Sequence, residues 1–126
     1  MIYNQDSIVF GKATEFAIRI IRLYKYLQKQ NETVISKQIL RSGTSIGANI
    51  SEALYAQSQS DFISKFSIAL KENSETQYWL YLLNKSEYLS QEQYQSLQND
   101  CDELMKLLTS IVKTTKKKQT KQTYNR

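Results

Sequence analysis

Apolar residues recur along this chain at helical spacing rather than in the alternation of strands. Val9, Ala13, Phe16, Ile20, Leu23 and Leu27 fall at alternating threes and fours, the seam of a packed helix. Phe62, Phe66, Ala69, Asn73, Thr76, Leu80 and Leu83 form a second series. Tyr94, Leu97, Cys101, Leu104, Leu108 and Ile111 form a third. Between the first two, Ile46, Ile50 and Ala53 mark the core side of another helix. Start and stop signals divide these segments. Asn31 marks a turn, Thr33 is placed to cap the second helix, and Asp61, or Ser60 before it, starts the third. Ser90 with Gln93 fits a capping box for the fourth. The pattern predicts helices at about 6–29, 33–58, 61–87 and 91–112. Short connections then imply an all-α, up-down-up-down four-helix bundle over residues 1–112. Residues 113–126 form a basic tail, disordered or an extension of the last helix.

Composition narrows the chemistry. The 126 residues make a one-domain length. There is no proline and there are only three glycines, which agrees with a helical chain. The absence of histidine removes Ser-His and Cys-His nucleophile pairs, the Glu-x-x-His ligands of di-iron bundles, and bundle nucleases built on an Arg and a His. Zinc needs more Cys or His than the single Cys101 supplies. That cysteine lies on the fourth seam, where a small core thiol is expected. No glycine-rich phosphate loop is present. No cofactor, metal or catalytic site is expected. An enzyme placing Glu52, Glu72 and Glu75 around a metal is the remaining catalytic alternative. The longest uninterrupted apolar run, Tyr78 to Leu83, has six residues, far short of a membrane span. With no export signal at the N-terminus and a free thiol, a cytoplasmic location away from membranes is expected.

Charge is unevenly distributed. The formal net charge is +5, yet residues 1–112 hold eleven basic and twelve acidic residues. The excess lies in the tail, which has six basic residues and no acidic one. Within the body, residues 6–29 carry +3 and residues 90–112 carry −3. These two helices are expected to attract one another, within or between chains, or the basic face meets phosphate instead. Glu15 and Arg19 form a favourable i,i+4 pair on the first helix.

Two helices have unusual faces. On the second, Gln38, Arg41, Ser45, Asn49 and Glu52 share a polar ridge about 80° wide. It is either a solvated face or a hydrogen-bonded ridge at a helix or subunit contact. Gly43 and Gly47 in mid-helix cost roughly 0.8–1.0 kcal/mol each relative to alanine, so close approach of a neighbouring helix backbone is expected there. On the third helix, Ile68, Trp79 and Leu82 surround Glu75, opposite the core seam, with Tyr78 at the border. Two apolar stripes on one helix imply either a wide core or a contact with another copy. Glu75 within that stripe needs a cation, and Arg41 is the candidate.

The segments NETVISKQILRSGTSIGANISEA, from Asn31 to Ala53, and FISKFSIALKENSETQYWLYLL, from Phe62 to Leu83, resemble the bacterial four-helix-bundle proteins associated with intervening sequences in 23S ribosomal RNA genes. The matching residues are Gln38, Arg41, Ser45, Ile46, Asn49, Ile50 and Glu52, then Ala69, Glu75, Trp79 and Leu80. Ala53 stands where many members have glycine, and Lys71-Glu72 where many have Gly-Ser. The resemblance spans about Phe10 to Val112. It implies a ring-like homo-oligomer, a pentamer in related proteins. It also implies kinship with accessory proteins of diversity-generating retroelements, which bind a reverse transcriptase and nucleic acid.

The leading expectation is a non-enzymatic homo-oligomeric adaptor for structured RNA, or for RNA-plus-protein complexes. Arg19, Arg22, Lys25, Lys29, Lys116, Lys117 and Lys118 are the candidate phosphate contacts. A protein–protein scaffold without a nucleic-acid role is the alternative. Ile68, Tyr78, Trp79 and Leu82, with Gln38, Arg41, Ser45, Asn49, Glu52 and Glu75, are the candidate interface residues.

Overall fold

A computed structural model describes residues 4–124. Four helices follow one another: α1 (Asn4–Lys29), α2 (Ile35–Ala53), α3 (Gln59–Lys85) and α4 (Gln91–Tyr124). Each packs against the next, and α4 closes the square against α1 through the least extensive of the four contacts. This is the four-helix bundle that the spacing implies. All six residues of the α1 seam are buried, as are Phe66 through Leu83 on the α3 seam and Leu97 through Ile111 on that of α4. Phe62 and Tyr94, at the ends of their series, are partly buried and pack on the core.

Local backbone chemistry sets the turns. After α1, Asn31 adopts a left-handed φ of 63°. The Glu32 N–H then donates to the Leu27 carbonyl (2.9 Å) and the Asn31 N–H to that of Gln28 (3.0 Å), the paired bonds of a Schellman turn. Glu87, with φ of 70°, does the same after α3. There the Tyr88 N–H reaches Leu83 (2.9 Å) and the Glu87 N–H reaches Asn84 (3.1 Å). Ser90 and Gln93 form the expected reciprocal box, with bonds of 2.9 and 3.1 Å.

Several boundaries differ from the sequence pattern. Thr33 does not cap α2. The Glu32 carboxylate takes that role, accepting from the backbone N–H of Val34 (3.3 Å) and Ser36 (2.6 Å). The helix ends at Ala53 rather than 58. Tyr55 and Ala56 donate three residues back, to Glu52 and Ala53, which tightens the last turn and leaves the chain free to reverse. Ser58, in extended conformation, caps α3 by accepting from the Asp61 N–H at 3.0 Å. Asp61 is therefore inside the first turn rather than at its start. The third helix closes at Lys85 because Glu87 has turned left-handed. The fourth continues past 112 to Tyr124. Residues 125 and 126 of the tail, and residues 1–3 of the expected bundle segment, lie outside the described residues.

Polar groups pin the register of the buried faces. Ser42 on α2 and Thr76 on α3 are fully buried and share a hydrogen bond of 2.9 Å. Asn73, also fully buried, donates to the Cys101 carbonyl of α4 (3.0 Å) and accepts from Gln77 (3.0 Å). Gln77 in turn accepts from Gln98 of α4 (2.9 Å). Thr76 also has the Glu72 carbonyl of its own helix as an acceptor (2.8 Å), so sliding α3 against α4 costs more: it strips buried Asn73 of its bond to the Cys101 carbonyl.

The two mid-helix glycines differ in cause. A β-carbon on Gly43 falls 2.9 Å from the Ile20 side chain, whereas one on Gly47 lies 3.6 Å from the Ala13 β-carbon. The close neighbour at Gly43 is thus a branched side chain rather than helix backbone. Gly47 does face the α1 backbone, with the Ala13 carbonyl 3.8 Å from such a β-carbon, an ordinary contact that leaves room for it. Gly47→Ala is expected to raise unfolding free energy by up to about 1 kcal/mol through helix propensity. Gly43→Ala is expected to lose that gain against Ile20 and come out neutral or destabilising. Urea unfolding of the two variants checks the contrast.

Candidate nucleic-acid and assembly surfaces

The basic and acidic helices meet within one chain. Arg19 of α1 donates to the Asp100 carboxylate (2.5 Å) and to the Ser96 hydroxyl (2.9 Å) of α4. Lys12 pairs with Glu103 at 3.1 Å. These contacts line the lightly packed α1–α4 edge. Both pairs are partly exposed, so each stabilises by no more than about 1 kcal/mol. Arg19 therefore turns to α4 and leaves Glu15, correcting the expected i,i+4 pair. It is also a poor phosphate ligand, since its guanidinium is already neutralised.

Arg22, Lys25 and Lys29 are exposed and form no ion pair among the described residues. They share one side of the C-terminal half of α1. Lys116, Lys117 and Lys118 are exposed on the far part of α4. Lys118 lies close enough to Asp6 for its charge to draw that carboxyl's pKa down, against a larger upward push from burial. Gln119, one residue on, donates to Ser60 at the start of α3 (2.8 Å). The tail lysines thus sit beside the first turn of α1. Lys25 is nineteen residues further along that helix, about 28 Å away at the helical rise. A single subunit does not bring the two groups of candidate phosphate contacts together.

The α2 ridge borders α3. Arg41 forms ion pairs with both Glu75 and Glu72, the latter at 3.1 Å. Glu75 thus has the cation its apolar surroundings require. Glu52 pairs with Lys65 of α3 at 3.2 Å. Between these bridges, Ser45 donates to the Arg41 carbonyl (2.6 Å) and Asn49 to that of Ser45 (2.8 Å). Their hydrogen bonds stay within α2. Gln38, at the head of the ridge, is exposed.

The second apolar stripe of α3 divides. Trp79 is partly buried and packs on the core of its own chain. Its indole Nε1 is buried with no hydrogen-bond partner, and its ring contacts that of Tyr78. Leu82 is half-buried. Ile68 and Tyr78 remain 38% and 55% exposed. The helical wheel puts Ile68, Trp79 and Leu82 in one stripe with Tyr78 at its border, and leaves open whether a wide core or another copy covers it. Sequence reasoning also missed Ile18 and Ile21, which are exposed on α1. They fall between the seam positions, where an isolated isoleucine gives no signal of its own.

Among the described residues, no group of three or more carboxylate, cysteine or histidine side chains is placed to hold a metal ion. No helix among them is long and apolar enough to cross a membrane. Burial, and then the flanking charges of Asp100 and Asp102, push the Cys101 thiol well above its ordinary range.

This up-down bundle, with a polar α2 ridge against a two-sided α3, matches a known family. Residues 5–110 match the family model described as 23S rRNA-intervening sequence protein, and the chain belongs to that family. Among solved structures, it is similar to a protein of unknown function from the S23 ribosomal protein family of Bacteroides thetaiotaomicron. The two are 59% identical, with a TM-score of 0.86, over 87% of this chain and 99% of the other. No curated protein matches.

Cys101 is expected to be inert to a disulfide-exchange reagent at pH 8 in the folded protein, since the thiolate is the reactive form. Labelling should appear only with unfolding by denaturant. Rapid labelling of native protein, followed by absorbance, contradicts the core placement.

Proposed function

We propose that the protein is a non-enzymatic, homo-oligomeric adaptor of the cytoplasm that binds structured RNA, alone or in complex with protein. The observation that carries this reading is the unequal fate of the α1 cations. Lys12 and Arg19 are taken up by α4 carboxylates. Arg22, Lys25 and Lys29 are left facing solvent together, as phosphate-positioning residues are. The tail lysines add a second basic group on α4. The two groups lie far apart on one subunit, so a single RNA engages both by spanning that distance or by bridging two copies. Exposed Ile68 and Tyr78 beside half-buried Trp79 supply an apolar face for that assembly. A ring-like pentamer is the form proposed. The family name points to a ribosomal RNA context and supports an RNA partner.

That same apolar face favours the second reading, a protein–protein scaffold with no RNA role. RNA binding measured against salt separates the two. The adaptor reading expects binding that falls steeply with salt, with a slope of about 0.9 per duplex phosphate contact. Replacing Lys116, Lys117 and Lys118 by glutamine is expected to lower that slope. An unchanged affinity and slope removes the tail from the mechanism. Protein that purifies free of nucleic acid and shifts no RNA at about 50 mM salt favours the scaffold, since phosphate binding is strongest at low salt.

A further inference from the structure

The cations of α1 border a groove of about 500 Å³ between the C-terminal half of that helix and the start of α4. This volume is within the range that holds small organic ligands. Leu23, Leu89 and Leu97 line it, and all three are almost fully buried. Tyr26 stands on its wall with 43% of its surface exposed. An aromatic ring beside an aliphatic floor is a stacking platform with an apolar backing.

The polar rim is differentiated. Arg22 lines the groove one helical turn before Tyr26. Lys25 and Lys29 continue the charge outside it, so that Arg22 to Lys29 spans about 10 Å along the axis. Arg19 closes one end, held by Asp100 and Ser96. Across the groove, Gln93 spends its amide oxygen on the Ser90 N–H. Its amide nitrogen has no partner among the described residues and is left to donate. Glu92 on the same rim repels phosphate there but accepts from an exocyclic amino group. Cations therefore lie on the α1 side and base-edge groups on the α4 side.

We infer that this groove takes one unpaired base of an RNA loop, stacked on Tyr26, with its flanking phosphates on Arg22 and Lys25. The inference rests on the RNA-adaptor reading and specifies its ligand. Loops expose unstacked bases for aromatic recognition, whereas the bases of an A-form stem stay stacked and out of reach. Lysines alone do not distinguish the two.

The test compares a hairpin RNA with an adenosine loop against a blunt duplex of the same stem, by fluorescence anisotropy at low salt. Wild-type protein is expected to favour the hairpin. Tyr26→Ala should weaken hairpin binding by about 5- to 150-fold, the range set by loss of one base–aromatic stack. Duplex binding should stay unchanged, and Tyr26→Phe should retain the hairpin preference. Circular dichroism of each variant verifies the fold. If wild type binds both RNAs equally, or Tyr26→Ala binds the hairpin as wild type does, the groove assignment is overturned while the adaptor reading stands. If wild type binds neither RNA, both are overturned.

Discussion

The bundle depends on how closely α2 can lie against its two neighbours. On one side Gly43 admits the Ile20 side chain of α1 into space that any β-carbon fills. On the other, buried Ser42 meets buried Thr76 of α3. These are adjacent residues on one helix, so a single turn of α2 fixes its distance to both partners. Core burial follows from that placement, because Ile39, Ile46 and Ile50 on the same helix then become inaccessible. The hydroxyl pair adds a directional requirement that greasy packing lacks. The two hydroxyls meet at 2.9 Å in one register of α2 against α3, while the Glu72 carbonyl offers Thr76 a second acceptor on its own helix.

The position of α2 also decides what the outer surface offers. It brings Arg41 over Glu72 and Glu75, so the carboxylates that once suggested a metal site instead share a guanidinium. On α3, Trp79 is partly buried against the core, while Ile68 and Tyr78 stay outside. One guanidinium shared by two carboxylates lies next to an exposed aromatic and aliphatic patch, the surface proposed above to meet another copy. At the opposite edge, the weak α1–α4 contact leaves room for a groove with buried leucines beneath it. One closely packed helix pair and one loosely packed pair thus give the molecule two different faces.

Much of this fold was legible in the sequence because helix seams are periodic. Val9 through Leu27 announce their burial by spacing alone, and Asn31 and the Ser90–Gln93 box mark turns by local chemistry. The missed boundaries are those where two side chains compete for one role. Glu32 and Thr33 both suit the start of α2, and Ser58, Ser60 and Asp61 all suit that of α3. Backbone geometry, which spacing does not encode, selects among them. The Arg41–Glu75 pair was legible because an acid inside an apolar stripe demands a cation. The partial burial of Trp79 was not, since an angle on a helical wheel says nothing of how far the next helix reaches. The groove at Tyr26 was also hidden, being made by residues more than sixty positions apart. Likewise, Arg19 looked like its basic neighbours until Asp100 was placed beside it.

The proposal of a ring rests on the outer face of α3 meeting another subunit, and the mass of the native protein in solution tests it most directly. Static light scattering, after nuclease treatment and at moderate salt, should report a multiple of the 14.7 kDa chain, fivefold for the ring proposed. A mass of one chain, unchanged across a wide concentration range, would contradict the account.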